Sequence, residues 1–108
     1  MPITEEKLAE IRAANPGAEL HLLSNDDTGV EVVVKAPNDG EWKRFRTMQS
    51  DEGQRPLAIR TLVTACVVYP PAGEFMGVLA ARPGLAETFG KDLVEIAGVS
   101  SATRRRKL

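Results

Sequence analysis

Apolar residues recur along this chain in blocks whose period changes several times, and the changes mark out its elements. Leu8, Ile11 and Ala14 fall at near-helical spacing behind Thr4, a suitable N-cap. Glu5 and Glu6 occupy the first turn, where the helix dipole favours negative charge. Asn15-Pro16-Gly17 ends this first helix. Leu20 and Leu22 then alternate with Glu19 and His21, and Val30, Val32 and Val34 alternate with Glu31, Val33 and Lys35. A period of two predicts half-buried strands, and the turn-forming Ser24-Asn25-Asp26-Asp27-Thr28-Gly29 between them predicts a β-hairpin with a longer loop.

After Pro37 the period lengthens. Asn38 or Asp39 can cap a helix that carries Trp42, Phe45 and Met48 on one stripe. A polar connector, residues 49–54, leads to Pro56, which suits the first turn of the next helix. That helix is expected to run to about Tyr69, with Ile59, Leu62, Val63 and Cys66 on one face. Its apolar arc is wide enough to predict a central position, packed on more than one side. Pro70-Pro71 stops it. Phe75, Val78 and Leu79 mark a short helix, and Arg82-Pro83-Gly84 breaks the chain again. Leu85, Phe89, Leu93 and Ile96 form the last apolar stripe, with Glu87 and Lys91 spaced as an i,i+4 ion pair and Gly98 as a C′ residue. The predicted fold is α+β: an N-terminal helix and β-hairpin packed with a C-terminal bundle of about four short helices. Residues 1–99 are expected to form a single domain, and residues 100–108 a basic, flexible tail. Trp42, Phe45, Leu62, Cys66, Phe89, Leu93 and Ile96 are the expected core.

Composition agrees with one small folded domain: 108 residues, 43% hydrophobic and 27% charged, which excludes a wholly disordered chain. The formal net charge of -1 conceals a segregation. Arg104, Arg105, Arg106 and Lys107 carry four positive charges, so the residues before them sum to -5. A body of that sign repels a nucleic-acid backbone, which argues against nucleic acid as a partner except through the tail. The single cysteine permits no internal disulfide and points to a reducing compartment. The first residues lack the basic start and apolar run of a signal peptide, and no apolar stretch approaches the ~20 residues that span a bilayer, so no membrane partner is expected.

Candidate chemistry is sparse. His21 is the only histidine and is expected on the polar strand face, near Glu19 and across from Glu31 or Lys35, as a solvated side chain. Cys66 sits among Ala65, Val67 and Val68, and burial there would raise its pKa and make it a poor nucleophile. Asn25-Asp26-Asp27 lacks the glutamate that closes a calcium loop, and there is no Gly-rich phosphate loop or Cys/His cluster for zinc. No catalytic, cofactor-binding or metal-binding residue is assigned, and a non-enzymatic protein is expected. The segment around the Pro-Pro turn supplies the remaining candidates. Tyr69, Phe75 and Met76 would contact a partner if they form an apolar surface patch, and otherwise a corner of the core.

Glu41-Trp42-Lys43-Arg44-Phe45, Leu62-Val63 with Cys66-Val67-Val68-Tyr69-Pro70, and Arg82-Pro83-Gly84-Leu85-Ala86-Glu87-Thr88-Phe89-Gly90 continuing to Glu95-Ile96-Ala97-Gly98 form a further pattern. Together with the approach Val33-Val34-Lys35-Ala36-Pro37, these stretches resemble the tail assembly chaperones of tailed bacteriophages, over residues 29–98. The resemblance rests on apolar patterns rather than a catalytic signature. It implies a non-enzymatic role in virion morphogenesis: binding the long helical tape measure protein and helping to recruit tail tube protein subunits. Such a chaperone would act in the cytoplasm of the bacterial host, be absent from the mature virion, and could form a homo-oligomer. Two other readings stand beside it. One is a small nucleic-acid-binding or regulatory protein using the basic tail; the other is a structural head–tail or tail-terminator component.

Overall fold

The computed structural model describes residues 3–100 and 102–108. Helix α1 (Glu5–Ala14) starts at Thr4, whose side chain accepts from the Lys7 N–H at 3.2 Å. Asn15 caps its end, and Gly17 turns the chain at a φ of 78°, a left-handed conformation that glycine adopts without strain. Strands β1 (Leu20–Ser24) and β2 (Glu31–Lys35) pair antiparallel, with Leu22 opposite Val33 and His21 opposite Val34. In the loop, the Asn25 side-chain oxygen accepts from both the N–H and the hydroxyl of Thr28, and the Gly29 N–H closes on the Asn25 carbonyl at 2.8 Å.

Helix α2 (Asp39–Ser50) begins with a reciprocal cap: Asn38 accepts from the Glu41 N–H, and Glu41 accepts from the Asn38 N–H. Helix α3 (Arg55–Cys66) carries Pro56 in its first turn. It ends at Cys66, earlier than the pattern predicts, and Val67–Tyr69 forms a third strand, β3, antiparallel to β2. Two local preferences and one tertiary contact favour this. Two consecutive β-branched valines fit a pleated strand, the residue before Pro70 disfavours helix, and the far edge of β2 supplies hydrogen-bonding partners. The Tyr69–Pro70 peptide bond is cis. Helices α4 (Ala72–Ala81) and α5 (Leu85–Ile96) follow, and Gly98 takes a φ of 111° just past α5. Ala102 to Leu108 carry no helix or strand and are exposed.

The sheet order is β1-β2-β3, and the central strand is covered on both faces. On one side Val32 and Val34 join Phe45, Met48, Leu62, Cys66, Phe75, Leu79, Phe89 and Leu93 in the main core. On the other side Leu8 and Ile11 of α1 meet Leu20, Leu22 and Val33 around a small cavity of about 110 Å³. Val33, expected on the polar face, is therefore 3% exposed. Leu22 lies on that same α1 side but near its margin, and 44% of it reaches solvent. A strand buried on both faces loses its alternation, which is why period two misplaces Val33.

Helix α3 packs against both α2 and α5, the central position that its wide apolar arc predicts. Gly90 allows the close approach of α5, because a Cβ there would run into the Ile59 side chain and touch Val63. Of the expected core, Phe45, Leu62, Cys66, Phe89 and Leu93 are buried, whereas Trp42 and Ile96 are half-buried at the margin. The Trp42 ring leans on Phe45 with centroids 5.3 Å apart. Among the described residues, the ion pairs are Lys7–Glu10, Lys35–Glu41, Lys43–Asp39 and the pairing of His21 with Glu19. Glu87 and Lys91, though suitably spaced, are not among these pairs.

Candidate functional surface

The N-terminal segment, the hairpin loop and the β3–α4 corner enclose an open crevice of about 680 Å³. Ile3, Val30, Tyr69, Pro70 and Val78 give it an apolar lining. Its rim is polar and tied together. The Ile3 N–H donates to Glu31 at 2.6 Å and the Ser24 hydroxyl donates to the same carboxylate at 2.7 Å. The bond from Ile3 and then that from Ser24 hold the Glu31 pKa below its ordinary value, against a smaller effect of burial. Above the floor the Lys7 ammonium sits 5.1 Å from the centre of the Tyr69 ring, within cation–π range. Tyr69 is thus half-buried in a shaped apolar recess, with a cation on its face.

The three expected partner contacts are not brought together. Tyr69 lines the crevice. Phe75 is 1% exposed and packs into the main core, so it offers no surface to a partner; that is a correction, and the cause is the helical phase of α4. Phe75 and Leu79 point inward at i,i+4 spacing, which turns Met76 outward, 41% exposed. Ile3, Val30 and Val78 belong to the crevice but are not among the expected partner contacts, because they come from three segments that only the fold joins.

The other candidates have structural roles. His21 stands opposite Val34 rather than Glu31 or Lys35, and its Nε2 lies 2.7 Å from Glu19. Cys66 is fully buried, and burial, reinforced by the charge of Glu41 against the opposing Lys35, pushes its thiol up to about 11. Lys35 grips Glu41 at 2.6 and 2.7 Å. Burial opposes ionisation of Glu41, but the Lys35 ammonium and the Asn38 N–H outweigh it, and its pKa lies below the ordinary carboxylate value. Among the described residues, no group of three or more His, Cys, Asp or Glu side chains is placed to hold a metal ion. No helix among them is long and apolar enough to cross a membrane.

A second recess of about 400 Å³ lies along the outer side of α3, lined by Arg44, Leu57, Arg60, Thr61, Thr64 and Ala65. Leu57 is 57% exposed there.

The sequence pattern of DUF6848, described as a domain of unknown function, matches residues 5–106. The chain belongs to that family. The DUF6848 match spans every helix and strand described above. In fold the chain is similar to the structure of uncharacterised protein rbstp2171 from Bacillus stearothermophilus, with a TM-score of 0.77 and 19% identity. The likeness covers 92% of this chain and 99% of that one, and at this identity it speaks for the fold alone. No curated protein matches the sequence.

Proposed function

We propose that the protein is a non-enzymatic bacteriophage tail assembly chaperone, which shelters apolar helix surface of the tape measure protein and helps recruit tail tube subunits. The observation that carries this reading is the apolar crevice around Tyr69. The sequence resemblance to phage tail chaperones supports it too, since one of the resembling stretches ends in Tyr69-Pro70, and these two residues line the crevice. A long amphipathic helix without its tube would self-associate through its stripe, and a small protein that covers the stripe reversibly removes that hazard. An aromatic floor with a polar rim suits reversible cover, because it contributes apolar contact while the rim stays hydrated. On this reading the protein works in the host cytoplasm and is left behind when the virion is complete.

The test is co-expression with a tape measure protein from the same genome. The wild-type chain should raise its soluble yield, and Tyr69→Ser should lose that effect while keeping the wild-type circular dichroism. No gain in soluble tape measure protein with the wild-type chain refutes the proposal. A second reading is favoured by the exposed Arg104, Arg105, Arg106 and Lys107, which are free to meet an anionic backbone. DNA or RNA binding by the intact chain that vanishes on truncation after residue 101 would establish it instead. Recovery of the protein in purified virions would favour a structural head–tail component.

A further inference from the structure

The basic charge of the folded body is concentrated. From residue 43 to 66 there are five cations and two acids, a net of +3, whereas residues 1–42 and 67–103 together sum to -8. Just outside that span, Asp39 pairs with Lys43, one of the five cations, and Glu41 pairs with Lys35, so the cations left over include Arg44 and Arg60. Among the described residues, no acidic side chain lines the recess along α3 and neither Arg44 nor Arg60 forms an ion pair. Leu57, Thr61, Thr64 and Ala65 recur at helical spacing along its floor, with the large apolar side chain at one end and small ones after it. The opposite face of α3, including Leu62 and Val63, is committed to the core.

We infer that this recess is a docking groove for an amphipathic helix of another polypeptide, one whose apolar stripe is flanked by Asp or Glu. The small side chains let a helix approach closely, and Leu57 supplies an apolar anchor. Arg44 and Arg60 supply charge complementarity to acidic positions beside the stripe. From Leu57 to Ala65 the floor spans eight helical steps, about 12 Å at the α-helical rise, enough to seat about two turns of a partner. A nucleic-acid strand fits less well, because the floor gives no aromatic platform and the rest of the body repels phosphate. The inference rests on the chaperone reading and narrows it: the sheltered helix is acidic at its flanks, and the groove steers it by charge.

The experiment uses two synthetic peptides of equal length and identical leucine stripe, one with glutamates and one with lysines beside the stripe, titrated against the full chain by fluorescence anisotropy. The acidic peptide should bind and the basic one should not, and binding should weaken as salt is raised. Leu57→Ser and the double variant Arg44→Glu/Arg60→Glu should each weaken the acidic peptide about tenfold or more. All three positions are solvent-accessible, and circular dichroism of each variant checks that it folds. A Tyr69→Ser variant should bind the acidic peptide as wild type does, which separates this groove from the crevice. Equal binding of both peptides, no binding of the acidic one, or indifference to the groove variants overturns the inference. So does preferential binding of a short DNA duplex, or a concentration-dependent dimer in sedimentation that Leu57→Ser dissolves. If the wild-type chain still solubilises a tape measure protein while the acidic peptide fails to bind, the groove assignment falls and the chaperone reading stands.

Discussion

Gly90 is where the packing of the helical layer is most sharply tested. A Cβ on Gly90 would lie 2.5 Å from Ile59 Cδ1, nearer still to Cγ1, and 3.4 Å from Val63 Cγ2. Gly90→Ala therefore forces Ile59 aside or pushes α5 from α3, and overpacking of this kind costs about 1–3 kcal/mol. Alanine in mid-helix returns about 1 kcal/mol of helix propensity. The net effect in the wild-type background is a loss of about 0–2 kcal/mol, or a fall in Tm of about 4–8 °C for each kcal/mol lost. Ile59→Ala removes both offending carbons. In that background Gly90→Ala should stabilise by about 1 kcal/mol, the propensity gain alone, so the two changes couple by about 1–3 kcal/mol. Urea denaturation followed by the fluorescence of Trp42, the single tryptophan, reads all four members of the cycle. Equal stabilisation by Gly90→Ala in both backgrounds would refute the close approach of α3 and α5.

Phe75→Ala should cost about 3–5 kcal/mol as a core truncation, whereas Met76→Ser on the outer side of the same helix should stay within about 0.5 kcal/mol; thermal melts distinguish them. Asn38→Ala removes the side-chain half of the α2 cap and should cost about 0.5–2 kcal/mol, read in the same urea titration. Glu41 has its pKa lowered in the folded state from an ordinary 4.5, so its contribution is complete above that value and is lost as pH falls below it. Urea midpoints from pH 7 to 3 should show this loss, and Glu41→Gln should flatten it. Cys66 has its pKa raised from 9.0 to about 11, so the fold should lose stability between those pH values as the unfolded chain ionises first. At neutral pH the thiol should resist a disulfide reagent until the chain is unfolded.

The elements were largely legible because each is signalled locally. Thr4 and Asn38 mark helix starts, Gly17 and Gly98 sit where the backbone turns left-handed, and the stripes on α2 to α5 have helical period. What escaped was tertiary in origin. Val33 looks polar-facing by alternation and becomes buried only because α1 folds back over the sheet. Val67 and Val68 continue an apolar helical run, and their strand forms because β2 presents an open edge. The candidate surface was legible only at Tyr69, since a tyrosine beside a Pro-Pro turn is visible in sequence, but its neighbours Ile3, Val30 and Val78 come from distant segments. Phe75 was misassigned because both it and Met76 lie in the same apolar stretch, and only the register of α4 separates inside from outside.

Everything functional here depends on apolar surface of a tape measure helix being taken up by the protein. Titration calorimetry of the purified chain with a purified tape measure fragment, repeated at several temperatures, measures that directly. A saturable complex with a negative heat-capacity change, diminished by Tyr69→Ser, is the predicted result. No complex, or a complex without a heat-capacity change, would contradict it.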